Sequence, residues 1–219
     1  MGDPDGPEYL LPRESAQEIV LVDHDPRWER AYAREESRIR GAVRAALVEL
    51  HHVGSTAVAG LVAKPILDIL LLVRNSTDEA SYAPALQEAG YDFHLREPHW
   101  HEHRLFKQGT PHSAAAAEPA GNGMKVNVHV FTVGSSEARR MLVFRDWLRT
   151  YPADRALYQR TKQDLAGRRW QFIQQYADAK SAVVTEILQR AALERPDEQY
   201  RQISMLTGVD VSGRVCGQA

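Results

Sequence analysis

The chain has 219 residues, a formal net charge of −2 and one cysteine, Cys216. This length favours one domain with tails, and the lack of a strong basic field does not favour polymeric nucleic acid as a partner. A single cysteine excludes an intrachain disulfide. Neither a secretory signal nor an apolar run of membrane-spanning length is evident, which predicts a cytoplasmic protein with no membrane partner.

The first half of the chain is predicted to mix strands and helices after a flexible arm, residues 1–16. Asp25-Pro26 is typical of a helix start. A short helical segment is predicted to follow Gly54 and to reach about Leu61, and another helix is predicted to end at Gly90. Three strands are predicted, over the apolar runs 19–22 and 65–73 and over residues 47–53.

The second half is predicted to add two neighbouring antiparallel strands and then helices. Residues 104–107 and 125–130 are the strands, and residues 109–123 form an unusually long connector that we expect to cover one edge of the site. Residues 194–219 are predicted to be a tail, so the domain spans 17–193. Three segments carry apolar positions at helical spacing: 136–150, 153–167 and 169–191.

Asp68 is a lone carboxylate inside the apolar run that ends at Val73. An unpaired buried carboxylate costs several kcal/mol, to an order of magnitude, so we expect Asp68 to be paired, metal-bound or catalytic. A salt bridge from Arg104 or Arg145 is one alternative. Mg²⁺ is another, because one carboxylate together with nucleotide phosphates can hold this ion.

Gly54, Ser55 and Thr56 precede the predicted short helical segment, and we call them the Gly-Ser turn. Free backbone N–H groups at a helix start attract anions, and the two hydroxyls can donate to phosphate oxygens. An ordinary helix cap is the alternative. Lys64 either directs its ammonium group to the same phosphates or is a charge at the end of a strand.

Asn127 and His129 alternate along one predicted strand, so their side chains share one face. If Asp68 lies on that face, His129 would serve as a general base or an added metal ligand; the alternative is a buried histidine bonded to backbone. His52 directly precedes the Gly-Ser turn, and we expect it to support the turn by hydrogen bonding.

His99, His101 and His103 occupy every second position, which on a strand would resemble a transition-metal site. A rim that contacts substrate and a solvated loop are the alternatives. In the helical region, Arg145 either binds phosphate or joins a structural network with its neighbour Asp146. Lys180 either extends its stem along an apolar stripe to solvent or reaches the cleft.

These motifs together resemble the GrpB family, a branch of the nucleotidyltransferase superfamily built like the palm of DNA polymerase beta. The resemblance covers about residues 17 to 191 and implies an α/β (α+β) fold: a mixed, mainly antiparallel sheet with flanking helices and a C-terminal helical cluster. The matching segments are His52–Thr56, Lys64–Val73, Asn127–Val130, Phe144–Arg149, Tyr158 with Lys162, and Tyr176 with Lys180.

The resemblance implies a nucleotide-dependent transferase that acts on a small molecule. The triphosphate, which we expect to be ATP, would bind at Gly54 and Ser55, and Mg²⁺ would bind at Asp68. Further candidate binding residues are Thr56, Lys64, Arg104, Asn127, Arg145 and Lys180. Leu70 departs from the superfamily, which has a second acidic residue at that position.

Leu70 favours an alternative function, a non-catalytic module that binds a nucleotide or a phosphorylated metabolite. GrpB domains also occur fused to dephospho-coenzyme A kinase, which adds coenzyme A-related compounds to the possible ligands. In both cases the expected partners are a nucleotide and a small molecule.

Overall fold

A computed structural model describes residues 6–12, 18–108 and 124–194 of the chain. The chain divides into two compact units, the first comprising Met1–Arg13 and Val22–Ala138, the second Glu14–Leu21 and Arg139–Ala219. The predicted connector, and all of the predicted tail after residue 194, lie outside the described residues.

The first unit is built on a six-stranded sheet in the order β1-β4-β5-β6-β3-β2. Only β3 and β6 run parallel among the described neighbours; every other neighbouring pair is antiparallel. This confirms the predicted mixed, mainly antiparallel sheet. The strands are β1 (Glu8–Tyr9), β2 (Leu47–Val53), β3 (Ile66–Val73), β4 (Asp92–Glu97), β5 (His103–Gln108) and β6 (Lys125–Thr132).

One face of the sheet packs against two helices, α1 (Arg27–Val43) and α2 (Ala83–Glu88), and forms the core of the first unit. Leu67, Ile69 and Leu71 of β3 point into this core and are fully buried. Because side chains alternate along a strand, Asp68 points to the other face of the sheet.

Helix α1 follows from its apolar spacing, since Trp28, Ile39 and Val43 are buried on one side. Glu35 shares that side and is fully buried. The Tyr91 hydroxyl donates a hydrogen bond to its carboxylate, so this charge has a partner within the core.

Several elements differ from the sequence-based expectations. The strand predicted over 19–22 is wrong, since only Val22 pairs there, in one isolated bridge to Ala63. The helical segment after Gly54 is a single 3₁₀ turn, Ser55–Ala57. Strands β1 and β4 were not predicted, and β1 lies within residues 1–16, where we expected a flexible arm.

The second unit is helical in its described part. It contains most of α3 (Ser136–Thr150), together with α4 (Pro152–Ala166), α5 (Ile173–Asp178) and α6 (Ser181–Glu194). The single helix predicted over 169–191 is therefore two helices. Across the described segments of the chain, no helix combines the length and the apolar character needed to cross a bilayer.

Candidate functional site

Three polar side chains meet on the face of the sheet opposite the core. The parallel register of β3 and β6 places Asp68 beside Asn127 and Leu70 beside His129. Asn127 donates a hydrogen bond from Nδ2 to Asp68 Oδ1 (2.8 Å), and His129 Nε2 lies 3.6 Å from the same oxygen. The Asp68 side chain is 29% exposed, so a ligand can reach this carboxylate.

The electrostatic environment keeps Asp68 ionised. Burial alone would raise the pKa of the Asp68 carboxyl, but the hydrogen bond and positive charge of His129 in its protonated form, the hydrogen bond from Asn127 and the positive charge of Lys64 together lower the pKa below its usual value. Asp68 is therefore a carboxylate at neutral pH. An ionised oxygen that remains accessible can bind a cation or hold a hydroxyl group.

The Gly-Ser turn packs directly against Asp68. Gly54 has a φ of +69°, a conformation that side chains disfavour. A Cβ atom at this position would lie 2.4 Å from Asp68 Oδ2, so only glycine allows the turn to approach the carboxylate this closely. Ser55 follows Gly54 and is half-buried. The two parts of the predicted site thus adjoin one another.

Thr56 does not face the open side of the turn. It is 2% exposed, and its hydroxyl donates to the backbone oxygen of Ile66 (3.1 Å). His52 Nε2 therefore donates to Thr56 Oγ1 (3.0 Å), while the His52 ring stacks on Tyr32. This arrangement fixes the turn from inside, as expected for His52, and we leave Thr56 out of the proposed phosphate contacts.

His129 is connected to His103, which the sequence offered only as one of three alternating histidines, and through His103 to Glu97, which the sequence did not single out. His103 Nε2 lies 3.1 Å from His129 Nδ1, and His103 Nδ1 lies 2.6 Å from Glu97 Oε2. His103 is only 4% exposed. Burial lowers the pKa of its imidazole to about 4, although Glu97 acts in the opposite direction. His103 is consequently neutral at pH 7.

The three alternating histidines do not line one face of a strand. His99 and His101 are exposed in the turn between β4 and β5, and His103 is buried at the start of β5. Among the described residues no group of three or more His, Cys, Asp or Glu side chains could hold a metal ion. The transition-metal alternative for this cluster therefore has no structural support.

Arg104 lies on the core side of the sheet rather than beside Asp68. Its Nε donates to Glu79 Oε1 (2.6 Å), and Arg96 donates to both Glu79 oxygens. The register explains this placement, because Arg104 pairs with the core residue Val130. The structure thus corrects the expected ion pair of Arg104 with Asp68, while its contact with nucleotide stays a prediction.

Leu70 occupies the position where the superfamily has its second acidic residue. It shares the face of Asp68 because the two residues are two positions apart on β3. It is fully buried. No second carboxylate is therefore available at this point of the strand.

Arg145 and Lys180 belong to the second unit. Arg145 donates two hydrogen bonds to the adjacent Asp146, from Nε (2.8 Å) and from an Nη atom (3.0 Å). Lys180 lies in the break between α5 and α6, with its ammonium 4.5 Å from the centre of the Tyr176 ring. Their predicted role in binding a ligand stays a prediction.

The fold and the polar site define a class: an α/β protein whose mixed sheet presents one accessible carboxylate beside a glycine turn. The chain matches the family model described as "GrpB protein" over residues 18–190. It belongs to the GrpB family.

Individual relatives support this assignment. A UPF0157 protein of Halalkalibacterium halodurans is 47% identical over 173 residues, which cover 79% of this chain and 82% of the relative. A UPF0157 protein of Streptomyces coelicolor is 41% identical, with 87% and 89% covered. The crystal structure of the conserved protein GrpB from Enterococcus faecalis shares the fold (TM-score 0.56, 20% identity, 76% of this chain and 98% of that one).

A more distant relative carries an enzyme name. Dephospho-CoA kinase of Mycobacterium tuberculosis is 28% identical over 184 residues. The match covers 78% of this chain and 45% of that protein.

Proposed function

We propose that this protein transfers part of a nucleotide to a small-molecule acceptor. The triphosphate binds at Gly54 and Ser55, and Mg²⁺ binds at Asp68. One observation carries the proposal: an ionised, 29% exposed carboxylate lies in contact with the turn that is expected to hold phosphates. The resemblance of the GrpB family to nucleotidyltransferases supplies the reaction class.

The residues at Asp68 fit a single Mg²⁺ ion. Mg²⁺ prefers oxygen ligands and is usually held by one or two carboxylates together with substrate phosphates. Asp68 supplies one carboxylate, and the buried Leu70 supplies no second one. When bound, the ion neutralises negative charge on the phosphates.

The other side chains of the site have separate roles in the proposed transfer. Asn127 holds the Asp68 carboxylate by its 2.8 Å hydrogen bond. The Ser55 hydroxyl donates to a phosphate oxygen. His129 Nε2 takes the proton of the acceptor hydroxyl, whose oxygen then bonds to the α-phosphorus. The bond from that phosphorus to the oxygen bridging the α- and β-phosphates breaks, and pyrophosphate leaves.

A second candidate function is a binding module without turnover. Leu70 favours it, because the two-metal arrangement of nucleotide-transferring enzymes needs a second carboxylate at this point. The similarity to dephospho-CoA kinase makes coenzyme A-related compounds the ligands to examine first.

Thermal unfolding with nucleotides tests the proposal. A ligand that binds only the folded state stabilises it by about 2.7 kcal/mol at a hundredfold excess over its Kd. We expect at least one of ATP, CTP, GTP and UTP to raise the Tm, and to raise it further with Mg²⁺. Ser55→Ala should reduce the shift. Ser81→Ala, an exposed serine in the turn before α2, is the control and should not.

The outcomes separate the two functions. No shift with any triphosphate at millimolar concentration would contradict the nucleotide proposal. A shift with coenzyme A alone would support the binding module. Release of pyrophosphate from a triphosphate, dependent on an added hydroxyl compound, would support the transferase.

A further inference from the structure

A row of four side chains extends across four neighbouring strands, on the face of the sheet that carries the proposed site, with one residue on each strand. Glu97 of β4 contacts His103 of β5, His103 contacts His129 of β6, and His129 faces Asp68 of β3. The distances are 2.6, 3.1 and 3.6 Å in that order. We call its first three members the Glu97–His103–His129 chain; two of them, Glu97 and His103, have no role in the proposed function.

The direction of each hydrogen bond follows from the groups involved. The Glu97 carboxylate can only accept, so His103 Nδ1 carries the hydrogen and donates it. A neutral imidazole has one N–H, so His103 Nε2 can only accept. His129 Nδ1 must therefore carry the hydrogen in the 3.1 Å contact. The lone pair of neutral His129 is then on Nε2, towards Asp68.

The surroundings of His103 hold it neutral and in place. Its ring is stacked on Phe131 at 4.6 Å and on His129 at 5.2 Å, and the Trp100 ring lies edge-on at 5.4 Å. Burial lowers the pKa of His103 to about 4, so the ring has no second hydrogen to offer His129 at neutral pH.

Asp68 competes with this chain for the tautomer of His129. If His129 carried its hydrogen on Nε2, it would point towards Asp68 Oδ1, and no lone pair would face the site. The distances decide between the two, because 3.6 Å to Asp68 exceeds ordinary hydrogen-bond length and 3.1 Å to His103 does not.

We propose that Glu97 and His103 are positioning residues that hold the hydrogen of neutral His129 on Nδ1 and leave its Nε2 lone pair facing the site. Only the catalytic consequence, proton uptake from an acceptor hydroxyl at Nε2, rests on the proposed function. A carboxylate that fixes a histidine tautomer in this way is known from catalytic triads and metal sites. Here the His103 imidazole lies between the Glu97 carboxylate and His129.

Nitrogen-15 NMR of the histidine rings tests the proposal in the ligand-free protein at neutral to mildly alkaline pH. Ring nitrogens with and without hydrogen have widely separated shifts, and His129→Gln identifies the His129 signals. We expect His129 in the wild type to carry hydrogen on Nδ1. In His103→Phe, which keeps an aromatic ring for stacking, we expect the hydrogen to move to Nε2 in a large fraction of molecules.

Two further variants sharpen the result. His103→Gln offers an amide oxygen as an acceptor and should retain the Nδ1 tautomer better than His103→Phe. His51→Phe, at a half-buried histidine of β2 paired with Glu49, is the control and should leave His129 unchanged. If His103→Phe does not fold, Glu97→Gln removes the acceptor-only group and should give a mixture of tautomers.

Two results would overturn the proposal: hydrogen on Nε2 of His129 in the wild type, or an unchanged Nδ1 tautomer in the folded His103→Phe or Glu97→Gln protein. The measurement requires no nucleotide, so it is independent of the thermal unfolding test. If the His129 tautomer changes in the variants but no nucleotide raises the Tm, only the proposed function is contradicted. If a nucleotide raises the Tm but the His129 tautomer is the same in the variants as in the wild type, only the positioning role of Glu97 and His103 is contradicted.

Discussion

Gly54 and Asp68 pack so closely that no side chain fits at position 54. The loss of unfolding free energy on replacing this glycine therefore measures their contact. An alanine at position 54 has an unfavourable positive φ, and its Cβ meets the carboxylate at 2.4 Å. Gly60 has a similar φ of +75° but nothing within 4 Å of a Cβ. We predict that Gly60→Ala costs about 1 kcal/mol and Gly54→Ala about 1–3 kcal/mol more, by denaturant unfolding.

A double-mutant cycle with Asp68→Ala isolates the contact. Removing the carboxylate should recover most of the extra cost of Gly54→Ala but none of the cost of Gly60→Ala. Equal costs for the two glycines in the wild-type background would contradict the close approach of turn and carboxylate.

Asp68→Asn separates the charge of the side chain from its packing. Asp68 accepts from an amide and faces an imidazole, and Arg104 is bound to Glu79 instead. We therefore expect a loss of about 1 kcal/mol or less in stability, with any Mg²⁺-dependent part of nucleotide binding abolished.

Calorimetric titration of the protein with nucleotide, with and without Mg²⁺, measures the Mg²⁺-dependent part of binding. Asp78→Asn, at an exposed position, is the control. A destabilisation of about 3–5 kcal/mol with an intact Mg²⁺ response would mean that Asp68 is half of a structural ion pair.

His103 makes stability depend on pH in a defined window. Its folded-state pKa of about 4 is below the ordinary value of 6.5, so the unfolded chain binds the proton first as the pH falls. Stability should therefore decrease from about pH 6.5 to pH 4 and not change further from this group below pH 4. The full effect is about 3 kcal/mol.

Urea unfolding at pH 7.5 and pH 4.5 measures this contribution in the wild type and in His103→Phe. The charged or titratable groups acting on the ring include Glu97, His129 and Glu137. We expect the wild type to lose more stability than the variant over this interval. The same pH dependence in both proteins would contradict a neutral, buried His103.

At the scale of elements, Glu79 joins the turn before α2 to strands β4 and β5. It binds Arg104, whose side chain is 7% exposed, and Arg96, which also contacts the exposed Glu8. We predict that Glu79→Gln lowers the free energy of unfolding by about 3 kcal/mol, because the buried Arg104 loses its ion pair.

Glu8→Gln is a matched control, since it removes a carboxylate from the same Arg96 at a solvated position. It should cost less than about 1 kcal/mol. Similar losses of unfolding free energy in Glu79→Gln and Glu8→Gln would mean that the buried ion pair of Glu79 with Arg104 does not stabilise the fold.

Some elements could be predicted from sequence because their pattern alone determines them. Strands β2 and β3 were predicted almost residue by residue, β3 from its nearly unbroken apolar run. Strand β4 was missed because Asp92, Arg96 and Glu97 make it polar, and cross-strand and ion-pair contacts satisfy those charges. The helix predicted over 169–191 keeps its apolar period through Tyr176 and Val183, so periodicity could not reveal the break near Lys180.

At the scale of the whole molecule, alternation along single strands identified part of the site. It placed Asn127 with His129, and the register of β3 with β6 brings both to Asp68. The Glu97–His103–His129 chain could not be predicted in this way. It depends on the pairing of β4, β5 and β6, and two of its members lie at the ends of a turn that sequence alone did not reveal.

Anomalous scattering from Mn²⁺ in crystals grown with a nucleoside triphosphate tests the central claim most directly, because Mn²⁺ accepts the same oxygen ligands as Mg²⁺. We predict one peak per protein within coordination distance of Asp68, with the phosphates extending to Gly54 and Ser55. Two peaks about 3.5–4 Å apart would contradict the single-metal site. A nucleotide bound without any metal at Asp68 would contradict the role of this carboxylate.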